Sequence, residues 1–155
     1  MRLRILALGA RMPAWVVDGY AEYAKRLPRD YPVELVELKP APRGGGRSVE
    51  QILEAEAQRI EAACQGYRLI ACDERGRAWS TRDLARELAR WREDGESVAF
   101  AIGSADGLAQ RIRIRASALL SLSALTLPHA LVRIVLIEQI YRAASLIGGH
   151  PYHRE

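Results

Sequence analysis

The chemistry-bearing residues of this chain gather at its end. His150, Tyr152, His153 and Arg154 bring imidazole, phenol and guanidinium groups into five residues, a set suited to moving protons and holding anions. Upstream, His129 follows Pro128, and Glu138 and Arg142 are spaced i, i+4 in the favourable order on a helix-like segment. From spacing alone Glu138 and Arg142 read as an intrahelical ion pair contributing about 0.2–0.5 kcal/mol. The alternative is an arginine held by the carboxylate beside a site. A C-terminal tail usually frays, but this one follows an apolar helix by only Gly148 and Gly149 and cannot stray far.

Other familiar arrangements are missing. No Walker A pattern occurs, and no Gly-x-Gly-x-x-Gly follows a strand-like run. Gly44, Gly45 and Gly46, flanked by Arg43 and Arg47, read as a flexible loop, with a phosphate clasp as the lesser alternative. His150 and His153 are three apart, but Pro151 opposes the helix that would present them together, and Cys64 and Cys72 lie far away. No metal site is expected. No Ser-His-Asp order stands out.

Those residues need elements to position them. The segment 2–8 alternates and then turns fully apolar, as a strand entering a sheet does, and Gly9 ends it. Pro13 can open a helix. Residues 33–38 read as a second strand, 40–47 as a loop, and Ser48 caps a helix running to about Cys64. A third strand spans 67–72. Ser80 or Thr81 caps a helix closing near Gly95, and 98–102 is the continuously apolar strand of a sheet buried on both faces. Residues 103–107 form a turn, 108–119 suit either strand or helix, 121–127 read as a fifth strand, and 130–147 as a strong helix. Strands alternating with helices predict an α/β fold: a largely parallel sheet flanked by helices, in a single domain over 1–155.

The last helix is apolar around most of its circumference. At 100° per residue Glu138, Arg142 and Ser145 form its one polar strip, with Gln139 at the edge. Such a helix is central to a large core or covered by a partner. A small domain has little interior to offer, so the expectation is a homodimer interface.

Charge follows the same geography. The chain of 155 residues carries 23 Lys+Arg against 19 Asp+Glu, a net +4, yet residues 98–155 hold six Arg against only Asp106, Glu138 and Glu155, together with all three histidines. A basic third of this kind points towards nucleic acid. Because 21 of the 23 basic residues are Arg, the excess itself reads first as a coding bias. Hydrophobic residues at 49% and charged residues at 27% exclude wholesale disorder. Two cysteines and the lack of a signal-peptide pattern point to the reducing cytoplasm. The longest apolar stretch, 116–137, is interrupted by Pro128, His129, Arg133 and several serines, so no membrane span is expected.

At Ser121-Leu122-Ser123-Ala124-Leu125-Thr126-Leu127-Pro128-His129, and again at His150-Pro151-Tyr152-His153-Arg154-Glu155, the chain resembles the small ribosomal large-subunit methyltransferase H proteins of the SPOUT superfamily. Gly9, Met12-Pro13, Trp79, Trp91, Ile102-Gly103 and Gly107 support the match, which covers the whole chain. The resemblance implies an S-adenosyl-L-methionine-dependent enzyme that methylates N3 of a pseudouridine in helix 69 of 23S rRNA within the ribosome. It also implies a C-terminal trefoil knot and an obligate homodimer. In such proteins the cofactor lies bent among knot loops, held largely by backbone groups. Carried over by position, these loops are Cys72 with Asp73, Gly103 to Gly107, and Leu122, Ser123, Ala124, Leu125, Thr126 and Leu127. Proton handling falls to His129, Tyr152 or His153, anion binding to Arg142 and Arg154, and the orientation of Arg142 to Glu138. Three positions depart from the family pattern: Cys72 replaces a larger aliphatic residue, Ser104 a second glycine, and Ala130 a proline. The alternative function is a ribosome- or RNA-binding module without catalysis.

Overall fold

The computed structural model describes residues 1–152, so His153 and Arg154 lie outside the described residues. Five strands alternate with five helices: β1 (Leu3–Leu8), α1 (Ala14–Ala24), β2 (Val33–Leu38), α2 (Val49–Ala63), β3 (Arg68–Ala78), α3 (Thr81–Glu93), β4 (Val98–Ile102), α4 (Gln110–Arg115), β5 (Ala118–Ser121) and α5 (His129–Ile147). The sheet order is β2-β1-β4-β3-β5, and every pairing is parallel. The α/β class expected from the alternation is the class observed.

The sheet is buried on both faces, which is why β4 reads as an unbroken apolar run. Period-two alternation divides it between two cores. Leu3, Ile5, Ile70, Phe100 and Ile102 pack towards α3 and α5. Leu6, Leu8, Leu69, Ala99 and Ala101 face α2 and α4 through Ala57, Ile60 and Ile112. Trp91 of α3 is 1% exposed and meets Phe100 edge-on at 6.1 Å. Truncating either ring would cost about 3–5 kcal/mol. Both serine caps form complete capping boxes, Ser48 with Gln51 and Ser80 with Asp83.

Two sequence expectations need correction. The fifth strand ends at Ser121, not Leu127. Ser121 Oγ donates to the Ser123 carbonyl at 3.0 Å, and Ser123 Oγ accepts from the Leu125 amide at 2.9 Å, turning the chain away from the sheet. The apolar residues after it line a cleft instead of filling a strand. The ambiguous segment 108–119 contains both α4 and β5: Ile112 is fully buried while Ile114 is 75% exposed, a helical disposition followed by an edge strand.

The second correction concerns the polar strip of α5. The helix's apolar circumference is satisfied within the chain, between α1 and α3 on the sheet, with Leu136, Ile137, Ile140, Ala143 and Ala144 at most 1% exposed. The helix is the centre of one core, so its composition does not require a partner. Ser145, assigned to the polar strip, is buried and donates to the Tyr141 carbonyl at 2.8 Å. The strip that remains half-exposed contains Val135, Glu138, Gln139 and Arg142, with Leu131 exposed at its N-terminal end. Among the described residues no helix is long and apolar enough to cross a membrane.

Candidate active site

A cleft of about 720 Å³ opens beside the register break in the middle of β3 and where the chain leaves β4 and β5. Cys72, Gly103, Leu122, Ser123, Leu125, Thr126 and Leu127 line it, together with Asp73, Ser104, Asp106 and His129. Three segments far apart in sequence are therefore gathered by one sheet edge. Ala124 lies exposed in the last of these segments and is not part of the lining.

Local chemistry explains why each wall folds as it does. After β4 the chain turns sharply, with the Gly107 amide donating to the Ser104 carbonyl at 2.9 Å. A Cβ at Gly103 would fall 2.4 Å from the Gly107 oxygen, so only glycine permits this turn. β3 breaks register between Cys72 and Arg77, and Asp73 Oδ1 accepts from the Arg75 amide at 2.9 Å within the bulge. The Asp73 side chain is 7% exposed and lies 3.9 Å from Arg113. Burial, and to a lesser degree Asp73, pushes the Cys72 thiol up to about 12. Cys72 is a neutral wall, not a nucleophile.

His129 begins α5 at the edge of the cleft. Its Nδ1 is buried and has no hydrogen-bond partner. Burial first, then the guanidinium charges of Arg133 and Arg43, holds the imidazole below its ordinary value. Near neutrality it is uncharged and can accept a proton. Arg133, one turn further along, is 2% exposed, donating from Nη1 to Glu37 at 2.7 Å and from Nη2 to the Gly9 carbonyl at 2.8 Å. A Cβ at Gly9, whose φ is +138°, would stand 3.0 Å from that Nη2. Sequence reasoning assigned Arg133 no role. The available signal was a cation on an inward position of an apolar helix, which is retained only when paired.

The remaining site residues form a second cluster. Arg142 donates to Glu138 Oε1 from Nε at 2.9 Å and from Nη2 at 2.5 Å, and the Tyr152 hydroxyl donates to the same oxygen at 3.1 Å. Gln139 donates to the other carboxylate oxygen at 2.7 Å. The Arg142 guanidinium lies 4.9 Å from the Tyr152 ring centroid, and Tyr152 packs on Tyr141 at 4.5 Å. The Glu138–Arg142 pair is thus more than an intrahelical bridge, because it fastens the tail to α5. Burial and Glu138 raise the Tyr152 phenol, so it stays protonated and acts as a donor near neutrality.

Among the described residues the two clusters stand apart within the chain. Glu138, Arg142 and Tyr152 do not line the cleft. Nine residues separate His129 from Glu138 on α5, an axial distance of about 14 Å.

Comparison with known proteins now decides the family. A family model described as predicted SPOUT methyltransferase matches residues 1–153. The chain belongs to the SPOUT methyltransferase family. Proteins named ribosomal RNA large subunit methyltransferase H from Burkholderia cenocepacia and Burkholderia lata are each 53% identical to this SPOUT chain over 155 residues, covering 99% of both chains. Among solved structures, a probable methyltransferase from Bordetella pertussis matches with a TM-score of 0.60 at 19% identity, covering 92% of this chain and 96% of its own. A tRNA (m1G37) methyltransferase from Aquifex aeolicus matches at 0.56 and 14% identity, covering 92% and 69% respectively. At those identities the structural matches speak for the fold alone. SPOUT membership implies a methyl donor, and the three loops around the cleft are where the fold leaves room for one.

Proposed function

We propose that the protein transfers a methyl group from S-adenosyl-L-methionine to N3 of a pseudouridine in helix 69 of 23S rRNA. Identity of 53% along 99% of the chain to proteins named for large-subunit rRNA methylation carries this reading. The cleft fits such a cofactor in size and chemistry. Its volume lies in the usual range for a small-molecule site. Ile102, Cys72, Leu122 and Leu127 supply apolar walls, and Asp73 and Asp106 supply negative charge opposite a cation. Gly103 allows close backbone approach. When bound, the cofactor supplies an electrophilic methyl on a sulfonium.

The protein must then align the acceptor nitrogen and take its proton. His129 is the best-suited acceptor among the described candidates, being neutral and at the cleft edge. Tyr152 suits hydrogen-bond donation to a base oxygen, and Arg142, with its planar array of donors, suits a phosphate or an anionic base. Glu138 holds both in place. The roles of His153 and Arg154 rest on the motif alone.

A homodimer completes the scheme. The 14 Å axial offset (about that much, from helix rise) keeps the tail cluster apart from the cleft of its own subunit, so one subunit's Glu138, Arg142 and tail serve the other's cleft. Trp15 at 56% exposure and Leu131 at 36% offer apolar surface for that contact. The trefoil knot belongs to the same reading, which membership of the SPOUT family supports. Ribosomes as substrate place the enzyme in the cytoplasm, and no step calls for a metal.

The rival is an RNA-binding module without catalysis, which would use the same basic third of the chain. Calorimetric titration with S-adenosyl-L-methionine separates them. Saturable heat is expected, and its absence would remove the catalytic reading.

A further inference from the structure

Glu56 is a buried carboxylate that the reaction does not use. It sits on α2, is 1% exposed, and does not line the cleft. Its two oxygens accept from two different loops. Oε1 takes the Ala41 amide at 3.1 Å, and Oε2 takes the Ser104 hydroxyl at 2.8 Å. Neither donor is a cation. A buried charge satisfied only by neutral donors is costly to keep, so its placement asks for a reason beyond packing.

One of the two loops it joins forms a wall of the cleft, and the other is tied to that wall. Ser104 belongs to the turn after β4 that forms one wall. Ala41 belongs to the segment after β2, which continues into Arg43 and the three glycines. Arg43 closes the connection from the other side, donating to Ser104 Oγ at 3.3 Å and pairing with Asp106 at 2.7 Å. Gly44, Gly45 and Gly46 all have positive φ, and a Cβ at any of them would touch nothing within 4 Å. Beyond Arg43, therefore, these glycines give the strap no close packing. Its register on the wall is set through Glu56, Ser104 and Asp106.

We propose that Glu56 is a positioning residue for methyl transfer, acting through Ser104 to hold the 103–107 wall and the Arg43 strap in the geometry that binds the methyl donor. This rests on reading the cleft as the donor site. A serine at position 104 is what allows the connection, since a glycine there has no hydroxyl to give. The departure from the family pattern thus has a structural use in this chain. Arg43 remains exposed on 45% of its side chain while making this connection.

The test is a double-mutant cycle on Glu56→Ala and Ser104→Ala, read by calorimetric titration of the full-length protein with S-adenosyl-L-methionine, with thermal midpoints measured alongside. Each single variant is expected to weaken donor binding about ten-fold, as loss of a hydrogen bond to a charged group does. The double variant should bind no more weakly than the worse single one, because both substitutions cut the same connection. Glu56→Gln, which keeps the shape and one acceptor, should restore most of the affinity. If Glu56→Ala does not fold, Ser104→Ala alone decides. Parental affinity in Ser104→Ala, or additive losses in the double variant, would overturn the proposal even if midpoints fall. Failure of the parent protein to bind the donor would instead defeat the reading of the cleft.

Discussion

His129 and Tyr152 show how environment separates two candidates that look equivalent in sequence. Both belong to the proton-handling residue types. Burial with neighbouring guanidinium charge keeps His129 neutral, whereas burial beside Glu138 keeps Tyr152 protonated. The His129 shift has a consequence for stability. Its folded value lies below the ordinary 6.5, so as pH falls through 6.5 the unfolded chain takes up the proton first. Stability from this group is intact above that point and is lost on descending towards the folded value. Urea midpoints measured from about pH 5 to pH 8 should therefore fall less steeply on the acid side in His129→Gln than in the parent. Parallel curves would contradict the assignment. Arg133 and Glu56 were not legible as positioned groups, because their side-chain partners lie 96 and 48 residues away. Glu138 and Arg142 were legible as a pair, since helix periodicity fixes neighbours at i, i+4. That Tyr152 joins them depends on how the tail folds back, which no local rule specifies.

The elements were legible where local chemistry and burial agree. Ser48 and Ser80 announce their helices with Gln51 and Asp83 three residues on, and the structure shows both capping boxes. β4 announces itself by its apolar run. The same signal misleads after β5, because a loop lining an apolar cleft needs Leu122, Leu125 and Leu127 as much as a strand in a core would. The composition of α5 has an explanation within the chain. A helix flanked by two others on a sheet is buried over much of its circumference, while the strip through Val135, Glu138 and Arg142 stays half-exposed. Gly103 is the sharpest test of the cleft's construction. In Gly103→Ala the new methyl meets the Gly107 carbonyl at 2.4 Å, backbone that cannot swing aside. We expect about 1–3 kcal/mol of destabilisation from overpacking, with donor binding lost while far-UV circular dichroism keeps its helical signal. Donor binding unchanged in that variant would place the site elsewhere.

For the complete enzyme, the proposed division of labour between cleft and tail calls for two copies of the chain. In the proposed dimer the net +4 of one chain would be doubled, and residues 98–155 of both copies would add to the field the RNA meets. Removing residues 152–155 should leave dimerisation and donor binding intact, since α5 and the cleft loops are untouched, and should abolish methylation. Full activity of the truncated protein on ribosomes would exclude the tail from the reaction. The central claim meets its most direct test in nucleoside mass spectrometry of 23S rRNA after ribosomes are incubated with the enzyme and methyl-labelled S-adenosyl-L-methionine. The account predicts label on N3 of a pseudouridine in helix 69, present with the parent enzyme and absent with the truncated one. Label on another nucleotide, or none on rRNA at all, would contradict it.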